Sequence, residues 1–381
     1  MKVFLGLSGG VDSAVAASLL QKQGYEVTCG FMRNWDSTAN DDLLGNPTAL
    51  NSICPQEQDY LDAKAVADKL GLPLLRIDFV KEYWDDVFSD LINEYRQGRT
   101  PNPDILCNKY IKFSKFYEYA QTNGFEYLAT GHYAGIRKID GISYLTKAQD
   151  LNKDQSYFLD QIDRNLLDKV IFPLQNVDKP TVRKIARELD LESVENKKDS
   201  TGICFIGERR FKEFLQNYLP AKTGKLIDLE TGEVKGEMAG VLYYTVGQRK
   251  GLMVGGKGGP WFVAGKDVNR NELYIVQGED NPWLISDSCQ VTKVNWLIPK
   301  IPVGKIKASA KFRYRQPDNP VTLEVNEKGV FVLYPQGIKA VAIGQQAVFY
   351  QGEICLGGGV IDEVYKGGKV LNEEMEHKLH A

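Results

Sequence analysis

Apolar and polar positions in the first part of the chain alternate between short strand-like runs and longer helical segments. Residues 3–7 predict a strand, residues 8–12 a turn, and residues 14–23 a helix that ends at Gly24. The same pattern predicts further strands at 26–32, 72–79 and 127–130, and further helices at 60–70, 82–97 and 109–123. This alternation predicts an α/β fold with a doubly wound, mostly parallel sheet. Its ligands should lie at the carboxyl ends of the strands, where Ser8, Met32 and Gly131 fall.

The pattern changes in the second half of the chain. Helices are predicted at 179–189 and 210–219, and from residue 221 onward period-2 segments separated by glycine-rich turns dominate, including 305–315, 321–325, 330–334 and 347–350. We therefore predict a catalytic domain at 1–210, a small central β-rich domain at 211–285, a C-terminal β-barrel at 286–366 and a loosely held polar tail at 367–381. Residues 136–148, with Asp140-Gly141 near the centre, predict a β-hairpin appended to the first domain.

The turn between the first strand and the first helix has the composition of an anion site. Gly9 and Gly10 let backbone N–H groups crowd around an anion, and Ser8 and Ser13 add hydroxyl donors. The helix N-terminus adds a favourable dipole, so a phosphate chain is the natural guest. Asp12 either holds magnesium or caps the helix.

The turn differs from a P-loop of the GxxxxGK[ST] type, because the lysine that contacts the β- and γ-phosphates is missing from it. The sequence SGGxDS instead resembles the PP-loop of ATP pyrophosphatases. That resemblance implies that pyrophosphate leaves as a unit and that AMP passes to an acceptor. The alternative is an ordinary strand-turn-helix whose glycines serve only the backbone.

Charge and composition limit the kind of protein this is. The net charge of −3 is the wrong sign for binding nucleic acid through overall charge, so such a partner requires local basic patches. Two candidates are residues 248–250 and residues 311–315, where a continued strand would place three cations on one face. There is no apolar run of about 18 residues, and the first predicted strand begins at residue 3, so we expect a cytoplasmic protein without a membrane span or signal peptide.

Six cysteines are present without CxxC pairs, which favours neither a disulfide scaffold nor a zinc ribbon. Cys107 lies near a predicted helix start with Lys109 close by, and both features favour a thiolate. Asp104 is one helical turn away and could move protons, although its charge would raise the thiol pKa. Cys204 lies in a second polar segment. The alternative is that both cysteines are small apolar fillers.

Long motifs then occur in a fixed order along most of the chain: the PP-loop, NPDxLCNKxIKF, ATGHYA, KDQSYFL, STGICFIGERxFxxFL, TVGQRKGL and CLGGG. In this order they resemble the MnmA-type tRNA-specific 2-thiouridylases. The resemblance implies that ATP activates the C2 oxygen of the wobble uridine (U34) of tRNA by adenylation, and that sulfur then replaces this oxygen. It implies ATP with Mg²⁺ as cofactors, tRNA held by its anticodon stem-loop as substrate, and a persulfide donor such as a cysteine desulfurase or a sulfur relay protein as partner.

The resemblance also implies roles for individual residues. Cys204 would carry the persulfide, Cys107 would be the nucleophile that resolves it with a transient Cys107–Cys204 disulfide, and Asp104 would transfer protons. The implied ATP-binding residues are Gly6, Leu7, Ser8, Gly9, Gly10, Val11, Asp12, Ser13, Met32 and Gly131. The implied tRNA-binding residues are Asn102, Pro103 and Asp104, a strip that would meet the target base, together with His132, Lys153, Asp154, Gln155, Arg313, Tyr314 and Gln345.

Two positions depart from the family pattern: Tyr244 stands where a histidine is common, and Ala14 where a serine is common. We expect both to tune contacts without abolishing the reaction. Three alternatives stay open at this point. They are another PP-loop ATP-dependent ligase or amidotransferase, a non-catalytic tRNA-binding protein, and an iron–sulfur cluster on Cys107, Cys204 and a carboxylate.

Overall fold

The computed structural model describes residues 1–44, 46, 55–198, 211–220, 222–255 and 257–380. The helices are α1 (Val11–Lys22), α2 (Pro55–Leu70), α3 (Val80–Tyr83), α4 (Ser89–Arg96), α5 (Pro103–Cys107), α6 (Phe116–Thr122), α7 (Lys179–Glu188), α8 (Glu192–Glu195), α9 (Phe211–Gln216) and α10 (Leu371–His380), with π-helical turns at Trp84–Phe88 and Asn108–Lys115 and 3₁₀ turns at Ser156–Leu159, Arg164–Leu166, Val241–Tyr243 and Pro282–Leu284. The strands are β1 (Lys2–Gly6), β2 (Glu26–Arg33), β3 (Leu74–Asp78), β4 (Tyr127–Thr130), β5 (Gly135–Ile139), β6 (Ile142–Thr146), β7 (Val170–Ile171), β8 (Gly224–Asp228), β9 (Val234–Met238), β10 (Trp261–Asp267), β11 (Glu272–Gln277), β12 (Ile285–Trp296), β13 (Lys305–Lys311), β14 (Asn319–Asn326), β15 (Gly329–Lys339), β16 (Gln346–Gln351), β17 (Ile354–Lys366) and β18 (Lys369–Val370).

The N-terminal sheet is parallel throughout and confirms the predicted α/β fold. Its strands lie in the order β3-β2-β1-β4-β7. The order reverses between β1 and β4, which makes the crevice at their carboxyl ends the topological switch point where ligands bind in such sheets. The loop after β1 begins at Leu7, and Gly131 directly follows β4, so both border this crevice.

Helix α1 packs closely on this sheet because the side chains facing it are small. Ala14, Ala16 and Ala17 are fully buried and join Val3 and Leu5 in one apolar cluster. Ala14 is the residue that replaces a common serine, and its burial in the core shows that it serves packing. The close approach of α1 fixes the direction in which its N-terminus faces the crevice.

The remaining strands form the two β units predicted from the alternation. A mixed sheet in the order β10-β11-β8-β9 forms the central unit. In the C-terminal unit, strands β12-β15-β14-β13-β16-β17 follow one another, and additional pairing between β12 and β17 closes them into a barrel. Tyr244, the second departure from the family pattern, is buried in the core of the central unit.

Two local predictions need correction. The predicted hairpin β5–β6 is confirmed, with positive φ angles at Asp140 and Gly141, but it extends the barrel sheet and not the sheet of the first domain, because Thr146 pairs with Ile354. Strand β13 ends at Lys311, so the cations of residues 311–315 do not continue along one strand face. The backbone N–H of Phe312 instead donates to the Gln316 side chain at 3.1 Å, within a turn.

The C-terminal segment is also more ordered than expected. Residues 369–380 form β18 and α10, and the side chains of Leu371 and Met375 are buried against the barrel core. Leu379 packs against the same core, so an apolar stripe recurs every four residues. The expectation of a loosely held tail is therefore wrong. Within the described residues, no helix is both long and apolar enough to cross a bilayer.

Candidate active site

The loop from Ser8 to Ser13 is closed by its own serines. The Ser8 and Ser13 hydroxyls lie 3.1 Å apart, and the Ser13 hydroxyl donates to the Gly10 carbonyl at 3.0 Å. Gly9 has a φ of +73°, and a Cβ there would come within 2.2 Å of the Asp59 carbonyl oxygen. The local backbone therefore requires glycine at this position, both for conformation and for space.

Helix α1 presents an N-terminus without a side-chain cap. Its N-cap is Gly10, and no side chain accepts a hydrogen bond there. The cap role offered for Asp12 is therefore wrong. The Asp12 carboxylate instead accepts hydrogen bonds from the Tyr133 hydroxyl at 2.7 Å and from Lys179 Nζ at 2.7 and 2.8 Å. An uncapped helix N-terminus beside two hydroxyls fits a phosphate group.

A second lysine fastens the loop to helix α2. Lys197 Nζ donates to the Gly9 carbonyl at 2.9 Å and to the carboxylates of Asp59 and Asp62 at 2.6 Å each. Partial burial by itself lowers the pKa of Lys197, but the two carboxylates outweigh it and hold the pKa above its ordinary value. The ammonium group therefore stays charged and ties three parts of the site together.

The residues predicted to flank the nucleotide do border this loop. The Cα of Gly131 lies so close to α1 that a Cβ there would meet the backbone nitrogen of Ser13 at 2.7 Å. On the other side, a Cβ on Gly6 would lie 3.5 Å from Cε of Met32. The fold thus brings the ends of β1, β2 and β4 together, as the predicted ATP site requires.

The helix predicted to begin at residue 109 begins earlier, because residues 103–107 form α5, which continues through the π-helical turn into α6. Asn102 is the N-cap and accepts the backbone N–H of Asp104 at 3.1 Å, with Pro103 in the first turn. Cys107 is the last residue of α5. Its side chain is only 1% exposed and belongs to an apolar cluster of this domain. In this state the thiol is buried.

Asp104 and His132 are half-buried and share one cationic neighbour. Burial raises the pKa of Asp104 to about 6, and the charge of Lys112 opposes part of that rise. Burial, followed by the same Lys112 charge, lowers the pKa of His132 well below its ordinary value. His132 is therefore neutral at pH 7, and its Nδ1 lies 2.7 Å from the Thr130 hydroxyl. Because His132 directly follows Gly131, His132 lies next to the crevice at the carboxyl ends of β1 and β4.

The structure also pairs residues predicted to contact tRNA from two distant segments. The Tyr314 hydroxyl donates to the Lys153 carbonyl at 3.3 Å. Gln155 exchanges hydrogen bonds with the Tyr133 backbone at 3.0 and 2.7 Å, which braces the segment after Gly131. The carboxylate of Asp154 is buried and accepts the Ser156 hydroxyl at 2.9 Å. Asp154 therefore supports the loop from within.

Arg313 and Gln345 are engaged with backbone in this state. Arg313 Nη2 donates to the carbonyls of Val246 and Ala340 at 2.5 and 2.9 Å, and burial lowers the pKa of its guanidinium. The Gln345 amide donates to the Thr100 carbonyl at 2.6 Å. Both predicted tRNA contacts thus also tie structural units to one another.

Cys204 lies outside the described residues, so its position relative to Cys107 is untested. Cys29, Cys289 and Cys355, which are expected to be packing or surface residues, are buried, and burial raises the pKa of Cys29 and of Cys289 to about 12. Cys54, for which the same is expected, lies outside the described residues. Over the parts of the chain with described coordinates, no group of three or more His, Cys, Asp or Glu side chains is arranged to hold a metal.

Sequence reasoning missed three residues at the loop: Lys179, Lys197 and Tyr133. Lys179 and Lys197 lie far from the loop in sequence, and only the fold brings them to Asp12 and Gly9. For Lys179, the sequence gives only its place at the start of a predicted helix, since it directly follows the N-cap residue Asp178. Nothing in their spacing points to phosphate.

Comparison with known proteins accounts for nearly the whole chain. Three family models match: a tRNA methyl transferase HUP domain over residues 1–208, a tRNA methyl transferase PRC-barrel domain over 212–277, and an aminomethyltransferase beta-barrel domain over 286–361. The tRNA-specific 2-thiouridylase MnmA of Mycoplasma capricolum is 55% identical over 96% of this chain and 99% of its own length. The tRNA-specific 2-thiouridylase MnmA 2 of Geobacillus kaustophilus is 50% identical over 97% of both chains. The chain belongs to the MnmA family of tRNA-specific 2-thiouridylases.

Proposed function

We propose that this protein is a tRNA-uridine 2-sulfurtransferase, which uses ATP to replace the C2 oxygen of wobble uridine U34 with sulfur. ATP would be seated on the loop from Ser8 to Ser13, with Met32 and Gly131 flanking the adenosine. The C2 oxygen of the uridine would attack the α-phosphorus, the N3 proton of the base would pass to the Asp104 carboxylate, and pyrophosphate would leave. The resulting adenylate turns a poor leaving group into AMP.

One structural observation carries this proposal. Gly131 packs against the Ser13 backbone, and the ring of the next residue, His132, lies 5.9 Å from the ring of Phe113, in the π-helical turn that continues α5. The phosphate loop and the strip 102–104, which is predicted to meet the target base, are therefore linked through one short segment after β4. A uridine on that strip would lie beside a nucleotide on the loop, as adenylation requires.

The groups at the loop fit a magnesium nucleotide. The uncapped N-terminus of α1 and the hydroxyls of Ser8 and Ser13 suit phosphate oxygens, and the Asp12 carboxylate suits a hard cation. Magnesium bound near Asp12 would neutralise charge on the phosphates. Among the side chains of the site, Asp104 would transfer protons, because a carboxyl group with a pKa of about 6 can exchange a proton near neutral pH.

Sulfur transfer would use two cysteines. Cys204 would receive a persulfide from a donor protein such as a cysteine desulfurase or a relay protein. In one route the terminal sulfur attacks C2 and expels AMP, and Cys107 then attacks the Cys204 sulfur, which breaks its bond to the transferred sulfur. In the other route Cys107 attacks first and releases hydrosulfide, which then attacks C2. Both end in a Cys107–Cys204 disulfide that a two-electron thiol reductant must reopen.

The burial of Cys107 sets a condition on either route. With 1% of its side chain exposed, the thiol is inaccessible in the state described. Cys107 ends α5, whose first turn carries Asn102 and Asp104, so binding of a base at that turn acts on the same short helix. We propose that tRNA binding displaces α5 and exposes the thiol.

The tRNA would bind across several units. His132, the loop 153–155, Arg313, Tyr314 and Gln345 would contact the anticodon stem-loop, and the exposed Arg249 and Lys250 would meet phosphates. Local basic groups would thus compensate for a net charge of −3. An extruded uridine would be read by polar edges and stacking. We place the reaction in the cytoplasm.

The test is thiolation of undermodified tRNA with ATP and either sulfide or a persulfide donor, measured as 2-thiouridine by mass spectrometry. Ser13→Ala should abolish product under both conditions. Ser18→Ala, a buried serine on the same helix away from the loop, should retain activity. Cys204→Ser and Cys107→Ser should lose activity with the donor protein.

The outcomes separate the proposal from its alternatives. An amidotransferase would keep its activity without both cysteines, and a non-catalytic RNA-binding protein would tolerate changes at Asp12 and Ser13. An inactive Ser13→Ala combined with a fully active Cys204→Ser under donor conditions would remove the persulfide step and leave adenylation standing.

A further inference from the structure

A lysine distant in sequence supplies a cation at the loop from Ser8 to Ser13. Lys179, the first residue of α7, reaches both carboxylate oxygens of Asp12 with Nζ at 2.7 and 2.8 Å. Its side chain is 12% exposed, whereas that of Asp12 is 32% exposed. A partly desolvated ammonium group therefore contacts Asp12, the residue before Ser13 in the first turn of a helix whose N-terminus has no side-chain cap.

We propose that Lys179 binds the β,γ-pyrophosphate of ATP, exchanging the Asp12 carboxylate for phosphate oxygens when the nucleotide is seated. This inference rests on the proposed adenylation and deepens it by assigning the cation that the loop itself lacks. A triphosphate carries more negative charge than one carboxylate, so it attracts the ammonium more strongly. Asp12 keeps the Tyr133 hydroxyl as a donor at 2.7 Å after the exchange.

The other lysine at the loop is suited to a different task. Lys197 Nζ already has the Gly9 carbonyl, Asp59 and Asp62 as acceptors, at 2.6–2.9 Å. Lys197 is thus bound to a carbonyl of the loop and to two carboxylates of α2, whereas the carboxylate that Lys179 contacts belongs to Asp12, which the proposal also assigns to magnesium. Lys197 therefore holds the loop in shape, and Lys179 is the cation that we assign to phosphate.

The assigned role follows from the charge balance of the reaction. The C2 oxygen forms a bond to the α-phosphorus, and the bond from that phosphorus to the bridging oxygen breaks. The electron pair leaves with pyrophosphate, whose growing charge Lys179 stabilises without giving up its proton. The AMP moiety, which stays on the uridine, does not contact Lys179.

Equilibrium binding of inorganic pyrophosphate, ATP and AMP, measured by calorimetry, tests this assignment without catalysis. Lys179→Met should weaken pyrophosphate and ATP about tenfold or more, as expected for loss of a charge-assisted hydrogen bond, and leave AMP affinity within about twofold of wild type. Lys184→Met, on the same helix and at the surface, is the matched control and should leave all three affinities unchanged.

Each other outcome has a definite meaning. Wild-type pyrophosphate affinity in Lys179→Met would overturn the inference alone, whereas a wild-type protein that binds no ATP would overturn the proposed function. Equal losses for AMP and pyrophosphate would show that Lys179 acts only through the fold. In magnesium-free buffer, Asp12→Asn should bind pyrophosphate several-fold more tightly than wild type, because the competing carboxylate is gone; unchanged or weaker binding would overturn the exchange.

Discussion

The side-chain amide of Gln345 donates a hydrogen bond to the backbone carbonyl of Thr100 at 2.6 Å, across the boundary between the barrel and the N-terminal domain. The backbone N–H of Thr100 donates to the Ile343 carbonyl at 3.0 Å, and Arg99 reaches Asp362 at 2.8 Å. The barrel therefore holds the strip that leads into Asn102 and α5. The barrel therefore contacts the N-terminal domain at Thr100, two residues before Asn102, where the strip predicted to bind the target base begins.

Gln345→Ala should loosen this strip. Loss of the hydrogen bond costs about 1 kcal/mol, so amide hydrogen exchange at residues 99–104 should speed up and thiolation should slow. Gln336→Ala is the matched control, because Gln336 also donates its amide to a backbone carbonyl, that of Pro320 at 2.9 Å, but on an exposed barrel surface. Unchanged exchange at residues 99–104 in Gln345→Ala would contradict the coupling.

Gly9→Ala should abolish nucleotide binding and destabilise the protein. The added Cβ would meet the Asp59 carbonyl oxygen at 2.2 Å, in addition to the strain of a φ of +73°. Gly24→Ala isolates the second effect, since Gly24 has a φ of +82° and open space around its Cβ. Denaturant unfolding should show a loss of about 1–2 kcal/mol for Gly24→Ala and a larger loss for Gly9→Ala. Equal losses would mean that the loop yields to the methyl group.

Burial of Asp104 should appear in the pH dependence of stability. An unfolded aspartate titrates near pH 4, whereas the folded pKa is about 6, so between these values the folded protein binds more protons than the unfolded chain. The free energy of unfolding attributable to Asp104 therefore falls as pH rises from about 4 to about 6. Asp104→Asn should remove about 1–3 kcal/mol of that fall.

Denaturant titrations across this range measure the effect as the difference from wild type. Asp140→Asn, at the exposed turn of the β5–β6 hairpin, is the matched control and should leave the pH profile unchanged. A profile for Asp104→Asn that coincides with wild type would show that the folded protein does not hold this carboxyl protonated.

Met375→Ala should destabilise the barrel, because α10 is a packed element. The Met375 side chain is 1% exposed in the barrel core, and truncation of a buried methionine costs about 2–5 kcal/mol. Lys378→Ala, on the exposed face of the same helix, should change stability by less than about 0.5 kcal/mol. Urea unfolding measures the loss of unfolding free energy in both variants. Equally small losses would support the prediction that the C-terminal segment is loosely held.

Local features of this chain were predictable from sequence, and tertiary ones were not. The strand-turn-helix around Ser8 follows from glycine, hydroxyl and apolar positions within about twenty residues, where local geometry decides the structure. Lys179 reaches Asp12 only because α7 packs beside α1, and no local pattern encodes that contact. The burial of Cys107 likewise depends on side chains from many segments.

The failed predictions have identifiable physical causes. The alternating residues 311–315 looked like a strand, yet Gln316 accepts the Phe312 N–H and closes a turn. The polar composition of the C-terminal segment concealed the apolar spacing of Leu371, Met375 and Leu379. Pairing of Thr146 with Ile354 moved the hairpin to the barrel, a choice that depends on neighbours remote in sequence.

Transfer of oxygen from tRNA to AMP tests the central claim most directly. Undermodified tRNA carrying ¹⁸O at C2 of U34 would be thiolated by the protein with ATP, and the AMP formed would be analysed by mass spectrometry. Attack of the C2 oxygen on the α-phosphorus predicts one ¹⁸O atom in AMP for each 2-thiouridine formed. Unlabelled AMP, or ADP with phosphate as the products, would contradict adenylation of the uridine.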